Sequence, residues 1–171
     1  SSARQYSKAV DAKHWIGMRV AMIEGDVKMM QGKNEAALNH YQEAERLAER
    51  YGGEGNRYQT APRIGFAMLE LGKDHQACRI FRMLAENGKV STGRLYGEYG
   101  LALAAARAEA TQEAVLRLKK IHKEIGRRGS GNVLMGLANS LYQKILSGAP
   151  LAAESTDGRP PRHETAIRAG A

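Results

Sequence analysis

The sequence predicts an all-α fold built from antiparallel helical hairpins. Three observations lead there. Apolar residues recur at the helical period in one segment after another, and each segment is framed by a capping residue in front and a glycine or proline behind. Residues that favour strands are scarce, with aromatics at 6% and charged side chains at 26% of 171 residues. Connections between the segments are short, except around GGEGNRYQ, where a longer loop is expected.

Along the chain, residues 1–18 predict an N-terminal capping helix, with Trp15 anchoring it against the first hairpin. Asn34 opens NEAALNHYQEAERLAERYGG, where Ala37, Leu38, Tyr41, Ala44, Leu47 and Ala48 keep the period and a glycine pair closes the run. Thr60 is expected to cap the next helix, with Pro62 in its first turn and Gly72 as its stop. Asp74 caps HQACRIFRMLAEN up to Gly88, and Thr111 caps QEAVLRLKKIHKEI up to Gly126. A last helix runs from about Asn132 to Ser147, before Gly148 and Pro150. Residues 149–171 hold three of the four prolines and lose the helical period, so they read as a largely irregular tail.

The segments repeat. Small residues fall at Gly25, Gly65, Ala102 and Ala138, and a second small series at Ala37, Ala77 and Ala114 lies twelve positions after the first three. Four residues beyond each member of the second series stands a bulky one: Tyr41, Phe81 and Leu118. A fixed offset between small residues on consecutive helices marks where two antiparallel helices cross closely, with the bulky residues filling space against the neighbouring hairpin. The turns Gln31-Gly32-Lys33 and Leu71-Gly72-Lys73 recur in the same register.

Gln31 to Leu47 (QGKNEAALNHYQEAERL) is similar to the turn and second helix of the tetratricopeptide repeat family, Leu71 to Leu84 is a fair match, and Leu101 to Ile121 a looser one. LANSLYQK, from Leu137 to Lys144, resembles a first helix without its partner, as in a capping helix. The resemblance covers about residues 19–148, and it departs from the family where Ala21 stands in place of the expected tryptophan, in the missing repeat-ending prolines, and in spacings beyond 34 residues. Longer repeats of this kind occur in sensor regions of some bacterial transcription activators and in assembly factors. The resemblance implies a right-handed superhelix of about three hairpins with N- and C-terminal caps, and first helices lining a concave groove. Groove positions carried over from the family fall on Met22, Asp26, Met29 and Lys33 in the first repeat, and on Gln59, Phe66 and Leu69 in the second. The third repeat supplies Tyr96, Tyr99, Leu103 and Arg107, and the last helix Met135, Asn139 and Tyr142. Leu69 and Leu103 also fit packing between repeats. Methionine adapts to varied apolar surfaces and tyrosine adds area with a polar tip, so a peptide or short helix is the implied ligand.

The chain carries 26 Lys and Arg against 18 Asp and Glu, a net charge of +8. That excess is local: Arg117, Lys119, Lys120, Lys123, Arg127 and Arg128 stand against Glu124 alone between residues 114 and 128, and a smaller surplus sits before residue 20. Such a patch suits an acidic protein. Nucleic acid is a poorer match, because no aromatic is interleaved for base stacking.

Catalytic signatures such as HExxH, GxSxG and a phosphate loop are missing, so the expectation is a non-enzyme with no catalytic residues and no cofactor. A lone Cys78 excludes a disulfide framework and a multi-cysteine zinc site; its helical neighbour His75 reads as a surface residue rather than a ligand. No segment is apolar enough to span a membrane, and the single cysteine leans toward a cytoplasmic location, with a processed periplasmic chain still open. The N-terminus lacks Met and a signal core, and reads as a processed or cut-out chain. The function expected is a scaffold or adaptor holding a partner peptide in the groove. The alternatives are a ligand- or peptide-sensing domain of a larger bacterial transcription regulator and a nucleic-acid-binding repeat using the face at 117–128. The oligomeric state is open.

Overall fold

The computed structural model describes the backbone of residues 2–51, 53–87, 91–126, 133–149 and 151, and the side chains of 15–50, 58–87, 92–126, 133–149 and 151. Within these residues the chain is all-helical: α1 (Ser2–Met30), α2 (Asn34–Tyr51), α3 (Gly53–Glu70), α4 (Asp74–Asn87), α5 (Ser91–Arg107), α6 (Thr111–Gly126) and α7 (Val133–Ser147). Neighbours in sequence are neighbours in space, α1 on α2, α2 on α3 and so on to α7. Beyond these, α3 touches α5 and α5 touches α7. Contacts are therefore local, and four apolar clusters follow one another along the chain.

The predicted small and bulky series explain the close packing. Ala37, Ala77, Ala102, Ala114 and Ala138 are all fully buried, as are Phe81 and Leu118, with Tyr41 nearly so. The bulky residues fill space within their own helix pair as well as the expected space against the next. Tyr41 lies over Gly25 of its own helix pair, and Phe81 lies over both Gly65 of its own pair and Gly100 of the next. A Cβ at Gly65 would stand 2.7 Å from the Phe81 ring, a distance no side chain tolerates, so glycine is needed for α3 and α4 to meet.

One turn ends α1, α3, α5 and α7. Gly32 and Gly72 share a φ of 69°, and the bonds Gly32 N–H to Met29 O and Lys33 N–H to Lys28 O are repeated by Gly72 to Leu69 and Lys73 to Met68. This is the Schellman arrangement, which needs a left-handed residue after the helix. Glu109 (φ 60°) takes that place after α5, and Gly148 (φ 65°) after α7.

Three expectations are corrected. α1 runs unbroken from Ser2 to Met30, across the end expected for a capping helix at residue 18, and Trp15 is 54% exposed, with Arg19 stacked near its ring. Thr60 is not a cap: α3 begins at Gly53, Thr60 is wholly buried in its middle, and Pro62 lies inside the helix. Much of GGEGNRYQ is therefore helix. Packing of Ala61 and Ile64 into the core outweighs the local penalty of glycine and proline there. Of the expected tail, Leu151 packs against the α5–α7 cluster, while residues 152–171 lie outside the described residues.

Candidate functional site

A cavity of about 630 Å³ opens where α1, α3, α5 and α7 converge. Met29 and Met30 of α1, Tyr58 and Phe66 of α3, Tyr96 of α5 and Leu137 of α7 make its apolar wall. Its polar floor is one linked group. Gly25 leaves room for the Tyr41 ring against α1, which brings the Tyr41 hydroxyl to the next residue, where it donates to Asp26 Oδ1 at 2.8 Å. Arg63 approaches the same carboxylate from α3 with both edges of its fork, Nε to Oδ1 at 2.9 Å and Nη2 to Oδ2 at 3.1 Å. Its Nη1 donates to Gln59 O at 3.0 Å. Burial, reinforced by the Asp26 bond and charge, pushes the Tyr41 hydroxyl far above its ordinary pKa, so it stays a donor. Burial works against the Arg63 charge, yet the Asp26 bonds and charge outweigh it and hold Arg63 above its usual value. The floor thus joins three helices through one carboxylate and presents fixed polarity beneath a methionine and aromatic wall. That suits binding rather than proton transfer.

Of the groove residues expected from sequence, Asp26, Met29, Phe66 and Tyr96 line the cavity, together with Gln59. Met22 is a correction: it is 2% exposed and packs with Met18, Ala21, Ala44 and Ala48 between α1 and α2, so it lines no surface. Lys33 is exposed in the turn after α1, outside the cavity wall. Leu69 is buried, and Leu103 is half-buried between two core clusters. Tyr99 is also drawn inward. Its ring lies 5.9 Å from Phe66, and burial pushes its pKa up to about 12 against the opposing charge of Arg107. Arg107 pairs with Glu70 and donates to Leu69 O at 3.2 Å, tying α5 to α3. Met135 and Tyr142 pack against the α5–α7 cluster, and Asn139 is exposed away from the cavity.

Sequence reasoning missed Met30, Tyr58, Pro62, Arg63 and Leu137. Tyr58 and Pro62 were hidden by the expected loop and helix start. Arg63 had a usable signal, an Asp and an Arg 37 residues apart, close to the repeat length.

The basic segment changes character. Glu98 of α5, only 4% exposed, accepts Arg117 Nη1 at 2.9 Å and pairs with Lys120. Arg117 also donates to Glu113 from Nε at 3.0 Å and Nη2 at 2.8 Å. Burial opposes the Arg117 charge, and the Glu113 and Glu98 bonds more than restore it, leaving its pKa raised. Two of the expected patch cations are therefore committed to holding α6 on α5. Lys119 and Lys123 are exposed, and Arg127 and Arg128 lie outside the described residues.

Among the described residues no group of three or more His, Cys, Asp and Glu is placed to hold a metal ion, and no helix is long and apolar enough to cross a membrane. His75 is exposed and Cys78 half-buried, its thiol pushed up by burial and then by Asp74. Against family models, curated proteins and solved structures, the chain has no match.

Proposed function

We propose that the chain is a non-enzymatic peptide-binding scaffold of the tetratricopeptide kind, in which the helix pairs stack as a right-handed superhelix and a partner's segment lies along the first helices. What supports this reading is the origin of the cavity wall: apart from Tyr41 it comes from α1, α3, α5 and α7, the odd-numbered helices that the repeat register makes equivalent. Methionine and aromatic side chains above a fixed polar floor suit a segment with one or two large apolar anchors and a hydrogen-bonding backbone. Nucleic acid at residues 117–128 is the weaker reading, because Glu98 and Glu113 together offset the charges of Arg117 and Lys120.

The test is selection of peptides from a displayed library, then titration against variants. Tyr96→Ala and Met29→Ala, both half-buried on the wall, should each weaken binding at least about tenfold with little change in melting temperature. Unchanged affinity in both variants removes the groove assignment.

A further inference from the structure

The face of α1 turned away from α2 carries a second apolar surface, which adjoins the cavity wall at Met30. Ile16, Val20, Ile23, Val27 and Met30 are spaced four, three, four and three residues apart and are 44–57% exposed. The residues that pack α1 onto α2, Met18, Ala21, Met22 and Gly25, lie on the opposite side of the helix. A 4–3 alternation is the seam of a coiled coil, here with valine at its a positions, as two-stranded pairing favours, and isoleucine or methionine at d. Five half-exposed side chains in one row leave on the order of several hundred Å² of apolar surface open, more than isolated surface hydrophobics account for.

Comparison with α3 shows what this face is not. Aligning the turns at Gly32 and Gly72 places Val20, Ile23 and Val27 opposite Thr60, Arg63 and Ala67. In α3 this is the side that receives the preceding helix pair: Thr60 and Ala67 are wholly buried, and Arg63 reaches Asp26. The step into α5 uses smaller residues still, with Gly97 against the backbone of α4 and Gly100 under Phe81. Branched side chains at the α1 positions would hold another such pair off. They suit a helix that meshes side chain between side chain, as two copies of the same seam do.

Two further observations select the partner. In the heptad frame Arg19 takes a g position and Glu24 the e position five residues later, so a parallel second copy places Arg19 of each chain beside Glu24 of the other. Within its own chain Glu24 meets His40 at 3.2 Å and Arg19 meets Gln59 at 3.2 Å, both exposed contacts that rearrange at little cost. In addition, α1 has 29 residues and α2 only 18. With Gly17 beside Leu47 and Gly25 beside Tyr41, the first three turns of α1 extend past the end of α2. Parallel pairing gives that extension a helix to lie against.

We propose that the protein forms a two-fold dimer through parallel pairing of α1 with α1 of a second copy, along Ile16, Val20, Ile23, Val27 and Met30. Sedimentation or light scattering over a concentration series should show a dimer. Val20→Glu with Val27→Glu should weaken it at least about 100-fold, while Leu116→Glu, on the 67% exposed side chain of α6, leaves it intact. Arg19→Glu should weaken the dimer, and Arg19→Glu with Glu24→Arg should restore it. In a Cys78→Ser background, Val20→Cys should give disulfide-linked dimers on mild oxidation, since parallel pairing sets each residue opposite its own copy. A monomer at about 100 µM, where an interface of this class has to form, overturns the proposal. A dimer indifferent to the α1 substitutions, or the absence of cross-linking through Val20→Cys, overturns it equally.

Discussion

Glu109 sits in the left-handed region at φ 60°, in the turn position that Gly32, Gly72 and Gly148 fill elsewhere. A side chain with a Cβ is strained there, by about 1–2 kcal/mol in a left-handed helix, and glycine is not. Because Glu109 is exposed, Glu109→Gly should remove that strain without opening a cavity. It should stabilise the protein by about 0.5–1 kcal/mol once the looser unfolded chain is allowed for, as a shift of the urea midpoint at constant slope. The turn at this residue was invisible in the sequence because its glycine is missing, whereas the turns at Gly32 and Gly72 were legible. The same contrast holds for the core. Gly25 with Tyr41 and Gly65 with Phe81 were legible as a small and bulky rhythm, but spacing alone says nothing about which partner a ring will cover.

Among elements, the links between helices are ionic as well as apolar, and two of them share a period. Asp26 with Arg63 joins α1 to α3, and Glu70 with Arg107 joins α3 to α5, each across 37 residues. Neither was read from the sequence, although both follow the repeat spacing, because a charge pattern on a helix reads as a solvated face until the neighbouring helix is placed. Glu98 is the most consequential case. It converts Arg117 and Lys120 from an expected docking patch into a clamp between α5 and α6. Removing the carboxylate with Glu98→Ala should destabilise the protein by about 1–2 kcal/mol, less than for a fully buried pair because Lys120 reaches water. The same change should strengthen retention on immobilised heparin, since the released Lys120 adds to exposed Lys119 and Lys123 while Arg117 keeps Glu113. Among the candidate site residues, those of α3 were least legible. Glycine and Pro62 argued for a loop and a late helix start, and tertiary packing overrode both.

Across the whole molecule, cohesion passes from each helix pair to the next, and the Phe81 ring is the point where the α3–α4 pair grips α5. It lies against both Gly65 and Gly100, with Phe66 at 4.9 Å. Phe81→Ala should cost about 3–5 kcal/mol and, because it severs coupling between neighbours, should split one urea transition into two. A single transition of undiminished slope would show that cooperativity does not run through this ring. The overall class and the cores were legible because a local architecture repeats its own pattern. The outer face of α1 was not read at all, since the equivalent positions of α3, Thr60, Arg63 and Ala67, carry no such row of branched apolar residues. The turn at Gly148 has its own consequence. It reproduces the geometry that closes α1 and α3, with Ala149 N–H bonded to Lys144 O as Lys33 is to Lys28. The end of α7 is therefore a standard joint, at which a module taken from residues 33–72 could be spliced and the array lengthened by one unit.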